Sequence, residues 1–246
     1  MDIKNKTALV TGAGSGIGYQ IAKLLKEQGN NVIIAGRNAE KITKAAEELS
    51  VTALVCDLTK PADIEALVSR VKTEFPELSI LVNNAGVAHL YKLGEGADAF
   101  TKATAEFQVN YFGPVLLTEK LLPILKQQPE AAVINITSNV TFHPLVVLPT
   151  YSDTKAALHS HTVALRHTLA KDTAVKVYEV MPSLVNTEAT KDMGGESGMH
   201  PGEVAQATLA GIKAGQYEIY VGDTGSQRAA YLANPENAVA SFNNRF

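Results

Sequence analysis

Two rhythms of apolar residues alternate along this chain. Short, almost continuous apolar runs occur at Thr7–Thr11, Asn31–Ala35, Val51–Val55, Leu78–Val82, Ala132–Thr137, Val175–Val180 and Tyr217–Val221. Runs of this kind, bounded by glycine, proline or asparagine, predict strands buried on both faces. Between them the apolar positions recur at helical spacing: Ile17, Ile21, Leu24 and Leu25 up to Gly29, then Ile64, Leu67, Val68 and Val71 within Pro61–Phe75. Further helices are predicted over Asn38–Leu49, Asp98–Lys126, Tyr151–Lys171 and Pro201–Lys213. Asn110 and the Gly113-Pro114 pair predict a kink in the Asp98–Lys126 helix. Strand and helix in alternation define an α/β fold, a Rossmann-type doubly wound parallel sheet of about seven strands with helices on both faces. One domain is expected over residues 1–246, with 188–200 as a glycine-rich mobile lid and 223–246 as a tail of two short helical patterns broken at Pro235.

Composition removes several classes of function. The net charge is −3 over 246 residues, so no electrostatic case exists for nucleic acid or an anionic membrane. No apolar run approaches the roughly 18 residues of a membrane span, and the N-terminus lacks a signal-peptide pattern. Cys56 is the single cysteine, which forbids an internal disulfide. The expected compartment is the cytoplasm, where the sequons at Asn5, Asn135 and Asn139 carry no meaning. His159 and His161 point to different faces of one helix, so no metal site is expected.

Candidate chemistry sits where strands end. The first strand runs into Gly12-Ala13-Gly14-Ser15-Gly16-Ile17-Gly18, which opens a helix. Free N–H groups and the dipole at such a helix start attract phosphate, and glycine lets the backbone approach. The common G-x-G-x-x-G spacing fails here in both frames; Thr11, Gly12, Gly16 and Gly18 fit T-G-x-x-x-G-x-G instead. After the second strand, where an acid would hold the ribose of NAD, stands Arg37. A guanidinium there suits a 2′-phosphate and favours NADP, with Glu40 leaving NAD as the lesser alternative. Asp57, after the third strand, is read either as an acceptor for the adenine amino group or as a cap for the helix near Pro61. Asn83-Asn84-Ala85-Gly86 supplies amides at the fourth strand's carboxyl edge, where open α/β sheets bind ligands. Tyr151 and Lys155 are four apart on one helix face, which sets an ammonium near a phenol and favours the ionised phenol. The apolar loop 139–149 is expected to line a pocket with His89, Leu90, Val140, His143, Leu145, Val146 and the 188–200 segment.

Taken in order, these motifs resemble the short-chain dehydrogenase/reductase family, in its single-domain branch, over roughly residues 5–222. The matching elements are Thr11-Gly12-x-x-x-Gly16-x-Gly18, Asn83–Gly86, Asn110, Ser138, Tyr151-x-x-x-Lys155 and Pro182-x-x-Val185-x-Thr187. The tail, the Gly36-Arg37-Asn38 turn and the short lid resemble its DltE-like oxidoreductase subgroup. The resemblance implies hydride exchange between a nicotinamide and a small-molecule carbonyl or secondary alcohol. Tyr151 would donate or accept the proton, Ser138 would stabilise the oxygen, Lys155 would lower the phenol's pKa and hold the ribose, and Asn110 would position a water. It implies cofactor contacts from Gly12, Ser15, Gly16, Ile17, Gly18, Arg37, Asp57, Leu58, Asn84, Ala85, Gly86, Tyr151, Lys155, Pro182, Val185 and Thr187. It also implies a homodimer or homotetramer. Ser183 replaces the family's usual glycine after the proline, and Ser15 stands where many NADP-using relatives carry a basic residue, so Arg37 bears the phosphate preference largely alone. A non-catalytic dinucleotide sensor on the same scaffold is the alternative; the intact Ser138, Tyr151 and Lys155 argue against it.

Overall fold

The structure is a computed structural model and describes residues 1–244. Its elements follow in the order β1 (Thr7–Thr11), α1 (Gly16–Glu27), β2 (Asn31–Gly36), α2 (Ala39–Leu49), β3 (Thr52–Val55), α3 (Pro61–Glu74) and β4 (Leu78–Asn83). Then come α4 (Ala99–Phe107), α5 (Gly113–Leu125), β5 (Ala131–Ile136), α6 (Pro149–Leu169), β6 (Val175–Pro182), α7 (Pro201–Lys213), β7 (Glu218–Val221), α8 (Thr224–Ala233) and α9 (Pro235–Asn243). The seven strands form one sheet in the order β3-β2-β1-β4-β5-β6-β7, and every neighbouring pair is parallel. Strand order reverses between β1 and β4, which leaves a crevice beyond their carboxyl ends.

Successive strand residues point to opposite faces, so each strand feeds two cores. Ala8 and Val10 of β1 pack with Ile21 and Leu25 of α1, Ile42 of α2 and Val204 of α7. Leu9 packs with Leu67 and Val71 of α3, and with Leu117 and Leu121 of α5. Both faces are therefore covered, which is why the strands read as unbroken apolar runs.

Local signals set the helix boundaries. Asn38 caps α2 by accepting from Lys41 N at 2.9 Å, and Pro61 and Pro149 open α3 and α6. The single long helix expected over 98–126 is instead α4 and α5 joined by a π-helical turn at Gln108–Phe112. Asn110 lies inside that turn and is fully buried; Pro114 merely opens α5. Asn110 is drawn toward the β4 edge, where Oδ1 accepts from Val87 N at 2.8 Å and Nδ2 donates to Val87 O at 2.9 Å. The wider turn is the backbone's response to that pull.

The 188–200 segment is folded into two 3-10 turns, Glu188–Met193 and Gly195–Ser197. Thr190 Oγ1 donates to Val185 O at 2.6 Å, and Val185 bridges Met199. Lys41 Nζ meets the Glu188 carboxylate at 2.8 Å, which ties this segment to α2. The two tail helices break at Pro235 as the sequence predicts; residues 245 and 246 of the expected tail lie outside the described residues.

Candidate active site

A crevice of about 920 Å³ opens at the strand-order reversal. At its centre the glycine turn leaves β1. Gly12 and Gly16 have φ of +66° and +60°, a region that favours glycine. A Cβ on Gly12 would stand 2.7 Å from Ala85 Cα. A Cβ on Gly18 would stand 2.7 Å from Gly12 O, and closer still to Asn84 Nδ2. Asn84 explains the tightness: Nδ2 donates to Thr11 O at 2.9 Å and to Gly12 O at 3.2 Å. Thr11 Oγ1 in turn accepts from Asn84 N at 3.0 Å and donates to Val82 O at 3.2 Å. Asn84 thus spends its amide donors on pinning the turn to β4. Helix α1 begins at Gly16 with no side-chain cap bond from Ser15 and no acid in its first turn, so its N–H groups and dipole face the crevice unneutralised. That is the fit expected for a dinucleotide pyrophosphate.

At one end of the crevice are Arg37, Asp57 and Leu58. Arg37 is exposed and lies near enough to help lower the Asp57 carboxyl, whose main acceptor bond comes from Thr59 N at 3.0 Å. Asp57 also accepts from Thr59 Oγ1 at 2.8 Å. It does not cap α3, whose N-cap is Lys60. The short turn at Thr59 captures the carboxylate before it can reach the helix.

The reactive groups gather beyond β5. Ser138 follows that strand and caps a 3-10 turn at Asn139–Thr141. Tyr151 stands in the first turn of α6 and Lys155 one turn on; all three side chains line the crevice. Burial pushes the Tyr151 phenol up to about 12, against a hydrogen-bonding interaction with Ser138 that lowers it; the buried Glu106 carboxylate adds to the rise. Burial brings the Lys155 ammonium down to about 8, opposed by the Glu179 carboxylate. The sequence argument expects Lys155 to lower the phenol. Lys155 Nζ donates to Ile136 O at 2.9 Å and stands 5.4 Å from the Tyr151 ring centroid. Burial thus disfavours the charged form of each group, which raises the phenol and lowers the ammonium.

Asn110 does not line the crevice; it sits behind it. Besides holding Val87, Nδ2 donates to Thr154 Oγ1 at 3.0 Å, which locks α6 against the π-helical turn. The space over Gly86 separates Asn110 from Lys155: a Cβ there would lie 3.4 Å from Asn110 Oδ1 and 3.8 Å from Lys155 Nζ. Gly18 is likewise structural, sealed beneath the turn. Pro182, Val185 and Thr187 border the crevice as expected, with the Thr187 methyl 3.2 Å from the Cβ position of Gly16.

The far half of the crevice is apolar, with Leu90, Val109, Val140, Leu145, Met193 and Phe242 in its walls. Three residues expected there are placed elsewhere. His143 is buried behind the wall between Tyr231 and Phe242. His89 turns to Glu106, with its N and Nδ1 at 2.7 and 3.1 Å from Oε1. Val146 is exposed, its N–H bonded to Asn243. Sequence reasoning misses Glu106, which is fully buried in α4 and accepts from Thr150 Oγ1 at 2.5 Å next to the candidate tyrosine. It also misses Asp223, Gln227 and Phe242. Only the apolar spacing of the tail offers a signal for these. Among the described residues no group of three His, Cys, Asp or Glu side chains is placed to hold a metal ion, and no helix is long and apolar enough to cross a membrane.

A parallel sheet in this order, with a glycine turn at its reversal point, is the architecture of a dinucleotide-binding doubly wound fold. The chain belongs to the short chain dehydrogenase family, whose model matches residues 6–197. It is 39% identical over 225 residues to the uncharacterized oxidoreductase DltE of Bacillus subtilis (strain 168), covering 89% of each chain, and so falls with the DltE-like group. Among solved structures it resembles a short chain dehydrogenase from Burkholderia cenocepacia J2315 in complex with NADP, with a TM-score of 0.86, 28% identity and 98% of each chain covered. It also resembles the 3-ketoacyl-(acyl-carrier-protein) reductase of Brucella melitensis complexed with NADH, with a TM-score of 0.82 and 28% identity over 89% of this chain and 98% of that one.

Proposed function

We propose that this protein is an NADP-dependent oxidoreductase that interconverts a neutral, largely apolar carbonyl compound and its secondary alcohol. The observation that carries the reading is the trio of buried Ser138, buried Lys155 and half-buried Tyr151, all lining a crevice that begins at a glycine turn. When bound, the nicotinamide supplies or takes the hydride. Gly12, Ser15, Gly16, Ile17 and the start of α1 hold the pyrophosphate. Asp57 and Leu58 border the adenine, and Arg37 meets the 2′-phosphate. Ala85, Gly86, Pro182, Val185 and Thr187 border the nicotinamide half.

Tyr151 gives its proton to the substrate oxygen as charge builds there, and Ser138 stabilises that oxygen by a hydrogen bond. Lys155, anchored on Ile136 O, restores the proton through the space over Gly86 and holds the ribose. Asn110 keeps that space open by fixing Val87 and α6. The 188–200 segment closes the crevice from above. On the substrate side the charged lining residues are Asp192 and Asp223, so an anionic substrate would meet repulsion. The exposed Phe100 and Phe112 on the α4–α5 face support a homodimer or homotetramer.

The test is loss of NADPH absorbance on mixing the protein with a panel of ketones, aldehydes and quinones, each paired with a carboxylated analogue. Turnover of neutral members above their anionic pairs is expected. Absence of turnover across the panel would remove the proposal.

A further inference from the structure

The last helix reaches back to the crevice. Among the described residues of α9, Phe242 alone lines it, joining an apolar wall that includes Leu145 and Met193. The next residue fixes its place. Asn243 Oδ1 accepts from Val146 N at 2.8 Å, and Asn243 Nδ2 donates to Pro144 O at 3.0 Å. A main-chain N–H only donates and a main-chain carbonyl only accepts, so the amide fits in one orientation. Nδ2 also donates to Val239 O at 2.9 Å, one turn back in α9. The Phe242 ring packs on His143, with centroids 5.3 Å apart, and His143 also meets Tyr231 of α8 at 5.2 Å. His143 is 1% exposed, so the ring is seated against a buried side chain.

We infer, on the reading of the site proposed above, that Phe242, held in place by Asn243, is a specificity-determining residue that limits the length of the apolar substituent a substrate carries beside its carbonyl. The loop that Asn243 grips, 139–149, begins one residue after Ser138 and also gives Val140, Leu145 and Val147 to the crevice wall. One short segment therefore connects the hydroxyl that meets the substrate oxygen to the ring that bounds the substituent. Removing that ring leaves a space with apolar walls, which a longer chain fills. Phe242 lies beyond the residues 6–197 matched by the family model, so this limit belongs to the C-terminal segment and not to the matched part of the scaffold.

The test is binding, not turnover. Dimethyl n-alkyl carbinols of increasing chain length are titrated by calorimetry into the wild-type protein and Phe242→Ala, each with saturating NADP. A tertiary alcohol has no hydrogen on its carbinol carbon to give up, so it occupies the site without reacting. In the wild type each added methylene should tighten binding about fourfold until the chain meets Phe242, and then no further. In Phe242→Ala the gain of about fourfold per methylene should continue to longer chains. Asn243→Leu, which keeps the ring but loses its anchor, should move the limit in the same direction by less. A merely structural role would weaken every chain length alike and leave the limit where it was. The same limit in both proteins, or no binding of any carbinol, with native circular dichroism, would overturn the inference. Should Phe242→Ala fail to fold, Phe242→Leu decides by the same criterion with a smaller extension. Because nothing is turned over, a negative result here is separable from a failure of the NADPH assay with wild-type protein.

Discussion

Lys155 Nζ gives its hydrogen bond to the main-chain oxygen of Ile136 at 2.9 Å, not to Tyr151 on the same helix face. The ammonium is thus tied to the end of β5, one strand over from the helix that carries it. This arrangement aims it at the space over Gly86 and lets burial govern the phenol.

Replacing Tyr151 with Phe removes the proposed proton donor and leaves the ring and the Lys155 anchor intact. Turnover should fall by about 10²–10⁴-fold. The dissociation constant for NADPH, followed by fluorescence titration, should stay within a few-fold of wild type. Undiminished turnover would take Tyr151 out of the mechanism.

Arg37 is exposed at the end of β2, and the contact proposed for it with the 2′-phosphate is electrostatic. Arg37→Glu should weaken NADPH binding and strengthen NADH relative to it. Losing a charge-assisted phosphate contact of about 1.5–3 kcal/mol corresponds to roughly a 10–150-fold change in the ratio of the two dissociation constants. A constant ratio would mean that the 2′-phosphate is read elsewhere.

Gly18→Ala places a methyl group against Gly12 O and the Asn84 amide. The amide cannot yield without releasing Thr11 and Gly12, so the turn must open. The expected cost is about 1–3 kcal/mol in urea unfolding, with weaker binding of both dinucleotides. Gly14→Ala is the control, since its Cβ would meet nothing nearer than 3.5 Å.

His159 and Glu179 give a pH signature. Glu179 is fully buried and accepts from Thr137 Oγ1 at 2.7 Å, with His159 Nδ1 at 2.8 Å. The hydrogen bond to Glu179 raises the His159 pKa above its ordinary 6.5. The stabilisation from the protonated pair is fully present below about pH 6.5 and is lost as pH rises through the raised value. His159→Leu strands the carboxylate. It should cost about 2–3 kcal/mol at pH 6, less than a fully buried pair because His159 is a quarter exposed, and less still at pH 8.5. A stability difference that grows with pH would contradict this pairing.

How much was legible in the sequence varied with how local the cause was. The strands were readable because burial on both faces leaves unbroken apolar runs such as Leu78–Val82, and the glycine turn because backbone geometry demands its residues. Asn110 and Gly113-Pro114 predict a kink, where the structure has a π-helical turn at Gln108–Phe112. Its cause, the pull of Val87 across 23 residues, has no local trace. The i, i+4 spacing of Tyr151 and Lys155 gives proximity but says nothing of burial or of where Lys155 points. Glu106 with Thr150, and Asn139 with Gln227, are 44 and 88 residues apart, and a single sequence does not pair them.

The tail helices α8 and α9 contribute no strand, yet Gln227 and Phe242 stand in the crevice wall. Substitutions there can retune what the crevice admits without disturbing the seven-stranded frame or the dinucleotide seat.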